Sequence, residues 1–116
     1  MTERLPVLRV NDMPESIRGI EKALAGKSYR DYERSWLLRS AVERGIEVIY
    51  EASRHIPKEI KAAHKNVRWK DIAGIGNILR HEYQRVDQTI IWKAVKDHLP
   101  MLKAALLAIK EAAESK

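Results

Sequence analysis

Four consecutive residues, Arg80-His81-Glu82-Tyr83, hold most of the chemistry that this chain of 116 residues offers. A histidine titrates near neutral pH, so His81 can take up or release a proton under ordinary conditions. The arginine beside it is a permanent cation suited to a phosphate. Asn77 stands one turn before His81, shares its helical face and can donate a hydrogen bond there. Arg80 is offset from the histidine by about 100° on a helix, so it reaches a phosphate only by swinging its side chain. His81, Arg80 and Asn77 form the candidate catalytic group, and the chemistry they suit is proton transfer next to a phosphate. The same residues also fit a wet helix end whose Tyr83 simply closes the core.

The element that must carry them is a helix. Ile72, Ile75, Leu79 and Tyr83 recur at steps of three and four, which predicts a helix from about Trp69 to Tyr83 with one apolar face. Gly74 and Gly76 lie inside it, each costing roughly 1 kcal/mol relative to alanine, and the usual compensation is close approach of another backbone. They do not make a dinucleotide loop, because Leu79 stands where a third glycine belongs and no strand precedes them. Directly upstream, Arg54, Lys58, Lys61, Lys65, Arg68 and Lys70 face one acid, Glu59. Lys58, Lys61, Lys65 and Arg68, with Arg85 after the motif, are the candidate phosphate-binding cations. The alternative is a solvated basic face beside Trp69.

The rest of the chain supplies the packing partners. Residues 1–11 read as an irregular N-terminal arm. Asn11 or Asp12 can cap a first helix, Pro14 sits in its first turn, and Gly26 follows its end. Ile17, Ile20 and Leu24 give that helix its stripe. A turn over 26–32 leads into a long helix from Tyr32 to Arg54, with Leu38, Val42, Gly45, Ile49 and Ala52 facing inward. Glu43 and Glu47 on it read as solvated face charges. Pro57 opens a short helix ending near His64. The last helix starts near Asp87, and Pro100 should kink it. With no strand signal or repeat, the expectation is one all-α domain over 1–116, a bundle of four long helices and one short one.

Composition narrows the function classes. There is no cysteine, hence no disulfide, thiol nucleophile or thiolate metal site. His55, His64, His81 and His98 match no local metal-ligand spacing, and no cofactor motif appears. No apolar run approaches the ~18 residues of a membrane span. The opening Met1-Thr2-Glu3-Arg4-Leu5-Pro6 has no signal-peptide pattern, so a cytoplasmic, metal-free protein is the expectation. A net charge of +6 and a pI near 9.7 favour polyanionic partners.

Several stretches, in order, carry a family likeness: Ala41 to Ala52, Trp69 to Gly74, Asn77 to Asp87 with His81-Glu82-Tyr83 and Val86-Asp87, and Val95 to Leu102 with the spaced pattern of Trp92 and Leu99-Pro100. They resemble the HepT-like HEPN toxins, encoded beside minimal nucleotidyltransferase antitoxins. The resemblance implies an antiparallel HEPN helical bundle paired as a symmetric homodimer across its motif helices. It implies metal-independent RNA cleavage, in some members of transfer RNA, without a cofactor. It also implies neutralisation by the nucleotidyltransferase, which attaches AMP to the motif tyrosine. By position, His81 matches the catalytic histidine, Tyr83 the AMP acceptor, and Asn77 the asparagine that often follows the motif arginine. Two positions depart from the pattern. The arginine expected at Gly76, Ile75 or Gly74 is absent, and Tyr50 stands where many relatives have glycine. The departures leave open a non-catalytic binding module that pairs with a nucleotidyltransferase, or a purely structural helical subunit.

Overall fold

The structure, a computed structural model, describes residues 5–81 and 87–114, and side chains over 13–79 and 87–112. The described residues form an antiparallel all-α bundle of α1 (Leu5–Leu24), α2 (Tyr29–Arg34), α3 (Trp36–Ser53), α4 (Lys58–Ala63), α5 (Trp69–His81), α6 (Gln88–Asp97) and α7 (Leu99–Glu114). Helix α1 lies against α3 and α7, α3 against α5 and α2, and α6 against α7.

Three sequence expectations need correction. Residues 5–11 are helical, so the irregular arm expected over 1–11 does not extend through them. Pro6 occupies the first turn, where its missing N–H costs nothing. Pro14 then lies inside α1, and the helix tolerates one lost bond because Met13 and Ile17 are fully buried on either side.

The long helix expected from Tyr32 to Arg54 is broken at Ser35, which ends α2 and caps α3 with its hydroxyl on the Leu38 N–H at 3.0 Å. A continuous helix would set Tyr32 and Trp36, four apart, on one face. The break separates them: Tyr32 is fully buried, whereas Trp36 is 72% exposed. Ser28 and Asp31 close the other end of α2 as a reciprocal capping box.

The last helix is likewise two helices rather than one kinked one. His98 ends α6, and Pro100 falls in the first turn of α7, where no N–H is needed.

The interior is almost wholly aliphatic. Ile17, Val42, Ile49, Ile91, Leu102 and Leu106 are sealed from solvent, each such side chain contributing about 1.5–3 kcal/mol by burial. Among the described residues no helix is long and apolar enough to cross a membrane.

Candidate active site

Helix α5 packs on α3 with Ile72, Ile75 and Leu79 buried, and Ile72 and Ile75 line a small cavity with Ile46 and Ile49 of α3 and with Ala94, His98 and Leu99. That leaves Asn77 exposed, one turn before the end of the helix. Arg80 and His81 are its last two residues, so the candidate base stands at a helix C-terminus. Their side chains lie outside the described residues. So do residues 82–86, and with them Tyr83 and Arg85.

The start of α5 is tied down by Trp69. Its indole N–H is shared between the Lys61 and His64 carbonyls at 3.2 and 3.1 Å, satisfying acceptors at the end of α4. The Lys61 ammonium lies 5.6 Å from the Trp69 ring centre, and burial lowers its pKa. Lys61 is therefore partly committed to holding the fold. Arg68 pairs with Asp71 at 3.1 Å, and Asp71 also approaches His98 at 3.8 Å. Lys58 and Lys65 are exposed and form no ion pair among the described residues. The cations from Arg54 to Lys70 are thus of two kinds, and Lys58, Lys65 and Lys70 are the exposed ones without an ion pair among the described residues.

A polar network missed in the sequence fastens α6 where it leaves the motif. The Gln88 amide donates to Glu43 of α3 at 2.8 Å, and its carbonyl oxygen accepts from the buried Tyr32 hydroxyl. Burial, with the Glu43 charge nearby, pushes the Tyr32 pKa well above the ordinary tyrosine value, so it remains a donor. Glu43 is therefore half-buried and partnered rather than a free surface charge. Periodicity had no way to pair Glu43 with a residue 45 positions away. Asp87 caps α6 through the Thr89 N–H at 2.9 Å, as its position suggested.

The two departures from the family pattern prove to be one contact. Gly76 is buried, and a Cβ added there would stand 2.1 Å from Cγ and 2.4 Å from Cβ of Tyr50. The Tyr50 ring fills the space that a side chain at 76 needs, so glycine at 76 and a large residue at 50 go together. Restoring an arginine at 76 without emptying position 50 would therefore disrupt the α3–α5 contact rather than help catalysis. Gly74, by contrast, has no atom within 4 Å of an added Cβ and is exposed.

The described residues thus form an all-α bundle with a basic run beside a helix whose last two residues are arginine and histidine. The Ribonuclease HepT-like family model matches residues 13–109. The chain belongs to this HEPN family. It is 35% identical over 92 residues to a protein of Methanocaldococcus jannaschii provisionally named an RNase, covering 79% of this chain and 84% of that one. It is 34% identical over 94 residues to "Probable ribonuclease HepT" of Thermococcus cleftensis, covering 81% and 86%. A longer M. jannaschii protein, named for both gamma-glutamylcyclotransferase and provisional RNase activity, is 36% identical over 102 residues, and the match spans 46% of it. No solved structure matches the chain at a significant level.

Proposed function

We propose that this chain is an endoribonuclease that cuts RNA by internal attack of the ribose 2′-hydroxyl. The observation carrying this reading is the membership of nearly the whole chain in a ribonuclease family, with His81 and Asn77 one turn apart at the end of α5. His81 takes the 2′-hydroxyl proton, and the oxygen attacks phosphorus as the bond to the 5′-oxygen breaks. The products are a 2′,3′-cyclic phosphate and a 5′-hydroxyl, the latter receiving a proton. Arg80 and Asn77 meet the charge growing on the phosphate oxygens. Lys58 and Lys65 steer the backbone towards the site.

The chain acts as the toxin of a toxin–antitoxin pair, works as a homodimer, and is neutralised by a nucleotidyltransferase that transfers AMP to Tyr83. The added bulk and negative charge oppose an incoming phosphate backbone. The open α5 surface at Gly74 supports close approach of a second copy.

RNA cleavage in the presence of a chelator should fall about a hundredfold or more in His81→Ala and markedly in Arg80→Ala. Affinity should drop steeply with salt, and Lys58→Glu with Lys65→Glu should weaken all RNA sequences alike. Light scattering should report twice the 13.4 kDa chain mass. Mass spectrometry after incubation with the partner and ATP should find AMP on Tyr83. If wild type and His81→Ala are equally inert while both bind RNA, the chain is a binding module. The filled pocket at Gly76, which leaves no room for an arginine, favours that second reading.

A further inference from the structure

We infer that Tyr50 is an RNA-contacting residue, the aromatic surface on which a nucleobase stacks beside the cleavage site. The inference rests on the RNA-processing reading above and adds a residue that neither motif nor charge had suggested.

The argument begins with location. Tyr50 belongs to α3 but rests on α5 at Gly76, five residues before His81, about 7.5 Å along the axis at 1.5 Å per residue. Four residues further on, capping the end of α3, is Arg54, the first cation of the basic run. Tyr50 therefore sits where the motif helix and the basic stretch meet.

Rigidity is the next point. The root of the side chain, Cβ and Cγ, lies where a Cβ on residue 76 would stand, so the ring cannot swing inward and its first torsion is restricted. The residue nonetheless remains partly exposed, and its hydroxyl makes no hydrogen bond among the described residues. Preorganised aromatic surface of this kind loses little entropy when a base is laid on it.

The third point is the cation. The Arg54 guanidinium lies 6.0 Å from the Tyr50 ring centre, at the outer limit of a cation–π contact, and is also 3.5 Å from Glu51. At that distance the arginine lies over the ring but too far away for close stacking on it. An aromatic ring and a guanidinium are the two side-chain surfaces on which unpaired RNA bases stack. Tyr50 rests on the Gly76 face of α5, from which Asn77 and His81 are offset by about 100° and 140° round the helix, so a base held on the ring reaches them through its neighbouring phosphates. Stacking accepts any base, so the contact adds affinity and register with little sequence preference.

The test uses short single-stranded RNA carrying 2-aminopurine at one position, bound to the full chain with His81→Ala to prevent cleavage. Binding should quench the fluorophore when it occupies the nucleotide beside the scissile bond. Tyr50→Phe should keep both quenching and affinity. Tyr50→Leu should lose the quenching and bind about five- to a hundredfold more weakly. Irradiation of wild type with 5-iodouridine RNA provides a measurement that no substitution can compromise, and the crosslink should map to Tyr50. If Tyr50→Leu is folded and both quenches and binds like its parent, or if crosslinks form elsewhere and never at Tyr50, the inference is overturned while the ribonuclease reading stands. If wild type binds no RNA under any salt condition, the ribonuclease reading falls and the inference falls with it.

Discussion

Two helix crossings in this bundle are built on a glycine, and they behave differently. At the α1–α3 crossing a Cβ on Gly45 would stand 2.8 Å from Cδ1 and Cγ1 of Ile20. At the α3–α5 crossing a Cβ on Gly76 would stand 2.1–2.5 Å from Cγ, Cβ and Cδ1 of Tyr50. The first clash is with the Cγ1–Cδ1 arm of an isoleucine inside the core, whose own Cβ and backbone stand clear of it. The second is with the root of a rigid ring at the surface edge of the motif helix. A side chain's tip yields by changing rotamer, but its root yields only if the helices separate. The α1–α3 seam is thus a packing contact with some tolerance. The α3–α5 seam is a fixed spacing that sets how the end of α5 meets α3.

Substitutions at the two glycines should reproduce this difference. The largest effect is expected for Gly76→Arg, at or beyond the top of the roughly 1–3 kcal/mol that overpacking costs. Gly76→Ala should cost about 1–3 kcal/mol in urea unfolding, and most of that loss should vanish when Tyr50→Ala is present as well. A double-mutant cycle with no coupling would show that the seam adapts, and the contrast would collapse. Gly45→Ala should cost about 1 kcal/mol or less, because movement of Ile20 is partly offset by better helix propensity. If Gly45→Ala proved as damaging as Gly76→Ala, the distinction between tip and root would be wrong.

Gly74 is the internal reference, since it shares α5 with Gly76 but faces open space. Gly74→Ala should stabilise by roughly 0.5–1 kcal/mol in melts at high dilution, where self-association does not contribute. The smallest effect concerns acid. The hydrogen bond from the Thr89 hydroxyl holds the exposed Asp87 carboxylate below its usual 3.8. A depressed folded-state value means that the cap stabilises above the unfolded pKa and is lost as pH falls through the folded one. Asp87→Asn should therefore flatten stability against pH below about 4 and lower stability slightly at neutral pH, where the charged cap is fully formed. An acid limb identical to wild type would remove Asp87 as its source.

Much of this molecule was legible from local pattern. The apolar rows of Ile72, Ile75 and Leu79, and of Ile91, Val95, Leu99, Leu102, Leu106 and Ile109, appear as buried faces because a helix presents every third or fourth residue to one side. Ser28 and Asp87 cap helices by short-range bonds to N–H groups within three residues, so sequence neighbours suffice to identify them. The run His81-Glu82-Tyr83 and its surroundings carried the family likeness for the same local reason.

What the sequence could not decide were the meetings between distant residues. Helical periodicity runs across Ser35 and His98 without a mark, and it took the inward turn of Tyr32 and the outward one of Trp36 to break the first helix. The glycines of α5 looked alike, yet one receives a tyrosine from α3 and the other faces open space. Gly76 and Tyr50 were each visible as an oddity, but only the crossing of α3 and α5 made them one contact. Sequence order determines which face a residue takes on its own helix; what stands opposite that face is set by the docking of helices that the chain keeps far apart.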